Sequence, residues 1–211
     1  ALLVLGVILF AVFRPILVLP RIRLAPGFVF NNQYGEAVTN EDFRGQFTLY
    51  SFTYTQCEQD NCPLSAAQIS EVHQILNEIV PSDMDFGLVT ISIDPEEDTA
   101  DVLAEHMATL DVAENTAVPW VFASGEALRT KYVVGGGFRV YYDKDSSTGM
   151  RFTPRYVLVD PAGIIRAEYG TAVLDFDILH RDIDLLVEEM RNSSGLGRYG
   201  YEAAHLFVCY P

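Results

Sequence analysis

Alternation and apolar runs divide most of the chain into elements. FVFNNQYGEAVT (residues 28–39) predicts two short strands around a turn at Gly35. FTLYSFTYT (47–55) alternates, is rich in aromatic and Thr residues, and predicts a strand. After Pro63, the apolar positions Leu64, Ile69, Val72, Ile75, Leu76 and Ile79 fall on one helical face, with proline in the first turn. FGLVTISID (86–94) is almost continuously apolar, the pattern of a strand buried on both faces. DPEEDTADVLAEHMATL then predicts a helix with Asp98 as its N-cap and acids in its first turn. VPWVFAS (118–124) predicts a strand, and EALRTKYVV (126–134) a helix ended by Gly135–Gly137. RVYYDKDSSTG offers a strand and a loop, and RFTPRYVLVD and GIIRAEYG predict a hairpin joined by PAG. LDFDILHRDIDLLVEEMR (174–191) predicts a last amphipathic helix, and residues 192–211 a surface extension opened by turn formers.

Strand, helix, strand, helix, antiparallel hairpin and final helix is the order of a thioredoxin-like α/β domain, here over residues 27–191. In that fold a cis proline precedes the first hairpin strand, and Pro154, after Thr153, stands in that place. The chain begins with an apolar run, ALLVLGVILFAVF (1–13), which as a helix spans about 20 Å against a hydrocarbon core of about 30 Å. Its first residue is Ala, so the run is expected to be the C-terminal part of a longer transmembrane helix, and residues 1–20 a membrane anchor. The rival expectation is the apolar core of a signal peptide, but no A-x-A cleavage pattern follows. Residues 21–26 read as a linker. Arg14, Arg21 and Arg23 follow the run, and charge alone leaves its orientation open.

Charge narrows the class of partner. The net charge is −15, from 29 acids against 14 bases, which excludes non-specific nucleic-acid binding. No Lys or Arg stands between Arg44 and Arg129. That interval is either a solvated acidic surface or a docking face for a basic partner such as a c-type cytochrome. Asp94, Glu96, Glu97, Asp98 and Asp101 also suggest a hard-cation site, although helix capping accounts for them without a ligand.

The candidate chemistry lies in YTQCEQDNCPL (54–64), where Cys57 and Cys62 stand between a strand and a helix. In one continuous helix their Cα atoms would be about 8.6 Å apart, beyond the ~7 Å that a disulfide spans. Any disulfide or shared metal therefore requires Cys57 in the loop ahead of the helix. Three cysteines are too few for a disulfide scaffold. A helix N-terminus favours a reactive thiolate there, whereas Glu58, Asp60 and the lack of bases oppose it.

The Gly35 turn, FRGQFTLYSFTYTQC, Cys62-Pro63, TISIDPEEDT and YVLVDPAGIIRAEYG together resemble the Sco/SenC family. The resemblance implies an extracytoplasmic thioredoxin fold on one N-terminal transmembrane helix. It implies delivery of copper to the binuclear centre of cytochrome oxidase, or reduction of that centre's thiols, with copper held by two cysteines and one histidine. Two departures bear on this. Cys57 and Cys62 enclose four residues where the family has three, and the family's histidine position aligns with Phe152. His73 lies eleven residues beyond Cys62 along a helix, about 16 Å away. His73, His106 and His180 read as helix-surface residues, and His205 lies in the tail near Cys209. Met150 is a soft donor that could complete a Cu(I) site with Cys57 and Cys62. Three functions stay open: an accessory or assembly subunit of a respiratory or photosynthetic electron-transfer membrane complex with a degenerate copper site; an active copper chaperone; and an extracytoplasmic thiol-disulfide oxidoreductase. Cys57–Cys62 as a plain structural disulfide stands beside all three.

Overall fold

The computed structural model describes residues 16–57, 62–110, 112, 116–145, 149–195 and 197–207. The apolar run, Glu58, Asp60 and Cys209 lie outside the described residues. Among the described residues no helix is long and apolar enough to cross a membrane. The chain divides into two compact units, residues 23–174 and a second formed by residues 1–22 with 175–211.

The larger unit is built on an eight-stranded sheet. Its strands are β1 (Arg23–Leu24), β2 (Val29–Asn32), β3 (Ala37–Thr39), β4 (Phe47–Thr53), β5 (Phe86–Ser92), β6 (Trp120–Ser124), β9 (Tyr156–Val159) and β10 (Ile164–Tyr169). β7 (Tyr142–Asp145) and β8 (Gly149–Phe152) form a separate two-stranded ladder. The order across the large sheet is β1-β10-β9-β4-β5-β6-β2-β3. β4, β5 and β6 run parallel, whereas β9 pairs antiparallel with β4 and β10 antiparallel with β9. Every residue of β4 and β5 is buried, as a central pair of parallel strands covered on both faces requires. Arg23 and Leu24, within the expected linker, add β1 to the edge at β10.

Helix α1 (Ala66–Ile79) links β4 to β5, and α2 (Ala100–Thr109) links β5 to β6. Ser65 caps α1 in a capping box with Gln68. α1 buries Ile69, Val72, His73 and Leu76. His73, expected on the surface, is buried on the same stripe at 69, 72, 73 and 76. Its Nε2 lies 2.7 Å from the Val118 carbonyl and its ring packs on Trp120. Helix α3 (Ala127–Thr130) runs on into a π-helical turn, Lys131–Gly137, so the expected single helix ends as two kinds of turn. Tyr50, Phe52 and Phe138 meet in the core with ring centroids 4.9 and 5.0 Å apart. Each such buried ring contributes about 1.5–3 kcal/mol relative to exposure.

The smaller unit contains α4 (Phe176–Asn192), capped by Asp175, and α5 (Gly197–Phe207). α5 occupies the tail that the sequence marked only as a surface extension. The described peptide bonds are all trans, so the cis bond expected before Pro154 is absent. For an X–Pro bond the trans form is favoured by about 0.5–1 kcal/mol unless packing selects cis.

Candidate functional site

β4 delivers the chain to the cysteine loop. The loop turns at Tyr54–Cys57, where the Cys57 N–H donates to the Tyr54 carbonyl at 3.1 Å. Cys57 thus lies ahead of α1, as any pairing with Cys62 requires. The two sulfurs are in contact, the Cα atoms are 5.1 Å apart, and Cys57 is buried. The Leu64 carbonyl accepts from the Thr53 hydroxyl at 2.5 Å and lies 3.3 Å from the Cys57 sulfur. A reduced Cys57 thiol would donate to this carbonyl, whereas a thiolate would face its negative end.

One residue holds this loop to the next crossover. Asp98 does not cap α2: Thr99 occupies the N-cap, without a side-chain hydrogen bond. The Asp98 side chain instead turns inward and is 1% exposed. It accepts from the Thr55 N–H at 3.1 Å, the Thr55 hydroxyl at 2.5 Å and the Ser92 hydroxyl at 2.5 Å. The carboxylate therefore ties the residues before Cys57 to the end of β5. Its donors are all neutral, and among the described residues no Lys, Arg or His forms an ion pair with it. Two neighbours register its charge. Burial pushes the Tyr54 phenol up, with Asp94 and Asp98 adding to the shift. Burial lowers His106, and Asp98 partly opposes that. Among the described residues the buried His106 Nε2 has no hydrogen-bond partner, and its ring stands edge-on to Phe122 at 6.4 Å. His106 was expected on the surface, but its place over β6 desolvates it.

Asp94 has a different task. Lys144 on β7 donates to both its oxygens, at 2.9 and 3.0 Å, and these hydrogen bonds hold the ammonium above its usual range. The pair lines a cavity of about 250 Å3 with Tyr142, Lys131 and Met150. Met150 faces Lys144 across the β7–β8 ladder, and neither cysteine is among the residues lining this cavity. Phe152, two positions on, is buried and meets Tyr54 of the cysteine loop edge-to-face at 6.3 Å. Phe152, which the sequence resemblance sets at the family's histidine position, thus presents the loop with a ring that has no donor atom. Among the described residues no three His, Cys, Asp or Glu side chains cluster as metal ligands. At the loop, the donors that the described residues bring together are the two sulfurs. His180 lies exposed on α4, 3.6 Å from Asp184. His205 on α5 meets Glu189 of α4 at 2.8 Å.

A thioredoxin-like sheet carrying a cysteine pair at the exit of its first central parallel strand defines the class. The SCO1/SenC family model matches residues 19–186, and the chain belongs to that family. The SCO2-like protein RP587 of Rickettsia prowazekii is 28% identical over 127 residues, covering 60% of this chain and 57% of that protein. The chain therefore spans little more than half that relative's length. The structure of Bradyrhizobium japonicum ScoI with copper bound is 26% identical, with a TM-score of 0.60 over 77% of this chain and 99% of that one. BsSco is described as a member of the Sco family of cytochrome c oxidase assembly proteins with a disulfide switch. It shares the fold at a TM-score of 0.64 and 22% identity, over 78% of this chain and 94% of that one.

Proposed function

We propose that this chain is a membrane-anchored accessory or assembly subunit of an electron-transfer complex of the cytochrome oxidase kind. Its folded domain would lie on the extracytoplasmic side, and its copper site would be degenerate. The observation carrying this reading is Phe152, packed on Tyr54 where the family places its histidine. With the third donor replaced by a ring, Cys57 and Cys62 serve the loop's structure or a thiol–disulfide change, not a three-ligand copper site. Family membership supports the association with oxidase assembly. The base-free interval from Arg44 to Arg129 supports docking of a basic partner such as a c-type cytochrome.

Copper titrated into the anaerobically reduced protein, with Cys57→Ser/Cys62→Ser as control, tests the site. Binding no greater than the control is expected. One tightly held copper that disappears in the control would replace this reading with an active copper chaperone. Native electrophoresis of detergent-solubilised membranes tests the partnership: the chain should migrate with oxidase subunits, and migration alone would sink the accessory role.

The contact between the two sulfurs favours a second reading, an extracytoplasmic thiol–disulfide oxidoreductase. Turnover of a model disulfide by the reduced protein, absent in Cys57→Ser, would establish it.

A further inference from the structure

In the unit formed by the two chain ends, α5 has two unlike faces. Its inner face is fully engaged. Tyr201 and Ala204 are buried with Val18, and Ile16 packs against them. Gly200 makes this closeness feasible, since a Cβ there would stand 2.9 Å from the Ile16 Cδ1. Arg21 donates to Glu202 at 3.2 and 3.3 Å and meets Glu189 at 3.5 Å, while His205 meets Glu189 from the other side. The Tyr201 hydroxyl donates to the Glu188 carbonyl at 3.4 Å.

The outer face carries Tyr199 and Leu206, 73% and 77% exposed and two turns apart on one stripe. Between them on that stripe stands Glu202, half exposed at the edge of the inner face and paired with Arg21, which keeps this part of the helix at headgroup level. Leu17, between the two residues that pack on α5, is 39% exposed. Three positions before Ile16 the apolar run 1–13 ends at Phe13. Three residues of extended chain reach about 10 Å at most. Whatever surface holds the run therefore lies within about that distance of the point where the chain meets α5.

We propose that the outer face of α5 lies on a lipid bilayer, at the boundary of headgroups and acyl chains. Tyr199 sits at headgroup level and Leu206 is inserted beside the exit of the apolar run. Tyr is enriched at that depth, and helices with one apolar face lie in that plane. Arg198 and Glu202 on α5 carry opposite charges, and phosphatidylcholine headgroups carry no net charge, so insertion there rests on the apolar side chains and is insensitive to salt. This inference rests on reading residues 1–20 as a membrane anchor.

The chain has one tryptophan, Trp120, and it is buried, which supplies a constant fluorescence background. The full chain carrying Leu206→Trp, and separately Phe10→Trp, would be reconstituted in phosphatidylcholine vesicles with bromine at shallow or deep acyl positions. The added emission of Leu206→Trp should fall at least about twofold further with shallow than with deep bromine, equally at low and high salt. Phe10→Trp should be quenched by the deep bromine. Quenching of Phe10→Trp without Leu206→Trp overturns the α5 proposal and leaves the anchor standing. Quenching of neither overturns both. Leu206 is exposed, so its replacement leaves the fold intact, and unchanged Trp120 emission in the wild type verifies the background.

Discussion

Two buried aspartates organise two turns of the larger unit, and they do so differently. Asp160 closes the β9–β10 hairpin. It accepts from the Ala162 and Ile164 N–H groups at 3.0 and 2.9 Å, and it pairs with the buried Arg166 guanidinium at 3.1 Å. Gly163 completes that turn at φ +75°, a backbone conformation that L side chains rarely adopt. Asp98 binds the cysteine loop through neutral donors only. A turn whose sole task is to reverse the chain has its charge cancelled on the spot. The turn holding the cysteines keeps an uncancelled negative charge beside it, where that charge affects any proton or electron that Cys57 and Cys62 exchange.

The largest expected effect is at the cancelled charge. Asp160→Ala deprives buried Arg166 of this partner, and urea unfolding should show a loss of about 3–5 kcal/mol. A loss under 1 kcal/mol, within the range of an exposed pair, would break the contrast between the turns. Asp98→Ala should cost less, about 1.5–3 kcal/mol, the range for hydrogen bonds to a charged acceptor. It should also speed reduction of Cys57–Cys62 by dithiothreitol, and an unchanged reduction rate would remove Asp98 from any control of the loop. Phe152→His puts an imidazole donor beside Tyr54. Cu(I) affinity in competition with a chromogenic chelator should rise on the order of tenfold, about 1.4 kcal/mol. No gain would mean that something other than Phe152 keeps copper from the cysteines.

The smallest effect is a pH dependence. Burial holds His73 below its ordinary range, against the opposing hydrogen bond to Val118, and burial also lowers His106. Below about pH 6.5 the unfolded chain takes up protons at these positions that the folded chain refuses. Stability is therefore full above that pH and falls as pH drops, visible as a lower melting temperature at about pH 5.5 than at about pH 7.5. In Asp98→Asn the carboxylate that partly keeps the proton on His106 is gone, so the acid sensitivity should increase. A flat melting profile in both proteins would sink this account of His106.

Most of the large sheet was legible because its longer strands announce themselves locally, whereas β1 lay in the expected linker. The 47–55 run contains β4, the PAG hairpin joins β9 and β10, and the turn at Gly35 joins β2 and β3. At α1 the sequence pattern puts Pro63 in the first turn, whereas the helix starts at Ala66 behind the Ser65 cap, for which Ser65 and Gln68 carry the capping-box spacing. The burial of His73 carried a signal too, as it lies one position after Val72 and three before Leu76 on the apolar stripe. Asp98 carried none. Its three donors come from the exit of β4 and the end of β5, so its role exists only once the two strands lie side by side. In the sequence it looks like any acid before a helix, and Thr99 takes the cap that this position suggested. α5 was hidden by Gly197 and Gly200, which weaken helix propensity locally and are outweighed by packing on Ile16 and Val18.

The outer strands of the large sheet bear on how this protein can keep company. β1 has two residues and β3 has three, so each border presents too few open N–H and C=O groups to template another strand. Polymerisation by strand addition is thereby blocked at both borders. Recognition by this protein therefore falls to loops, helices and charge rather than to an added strand.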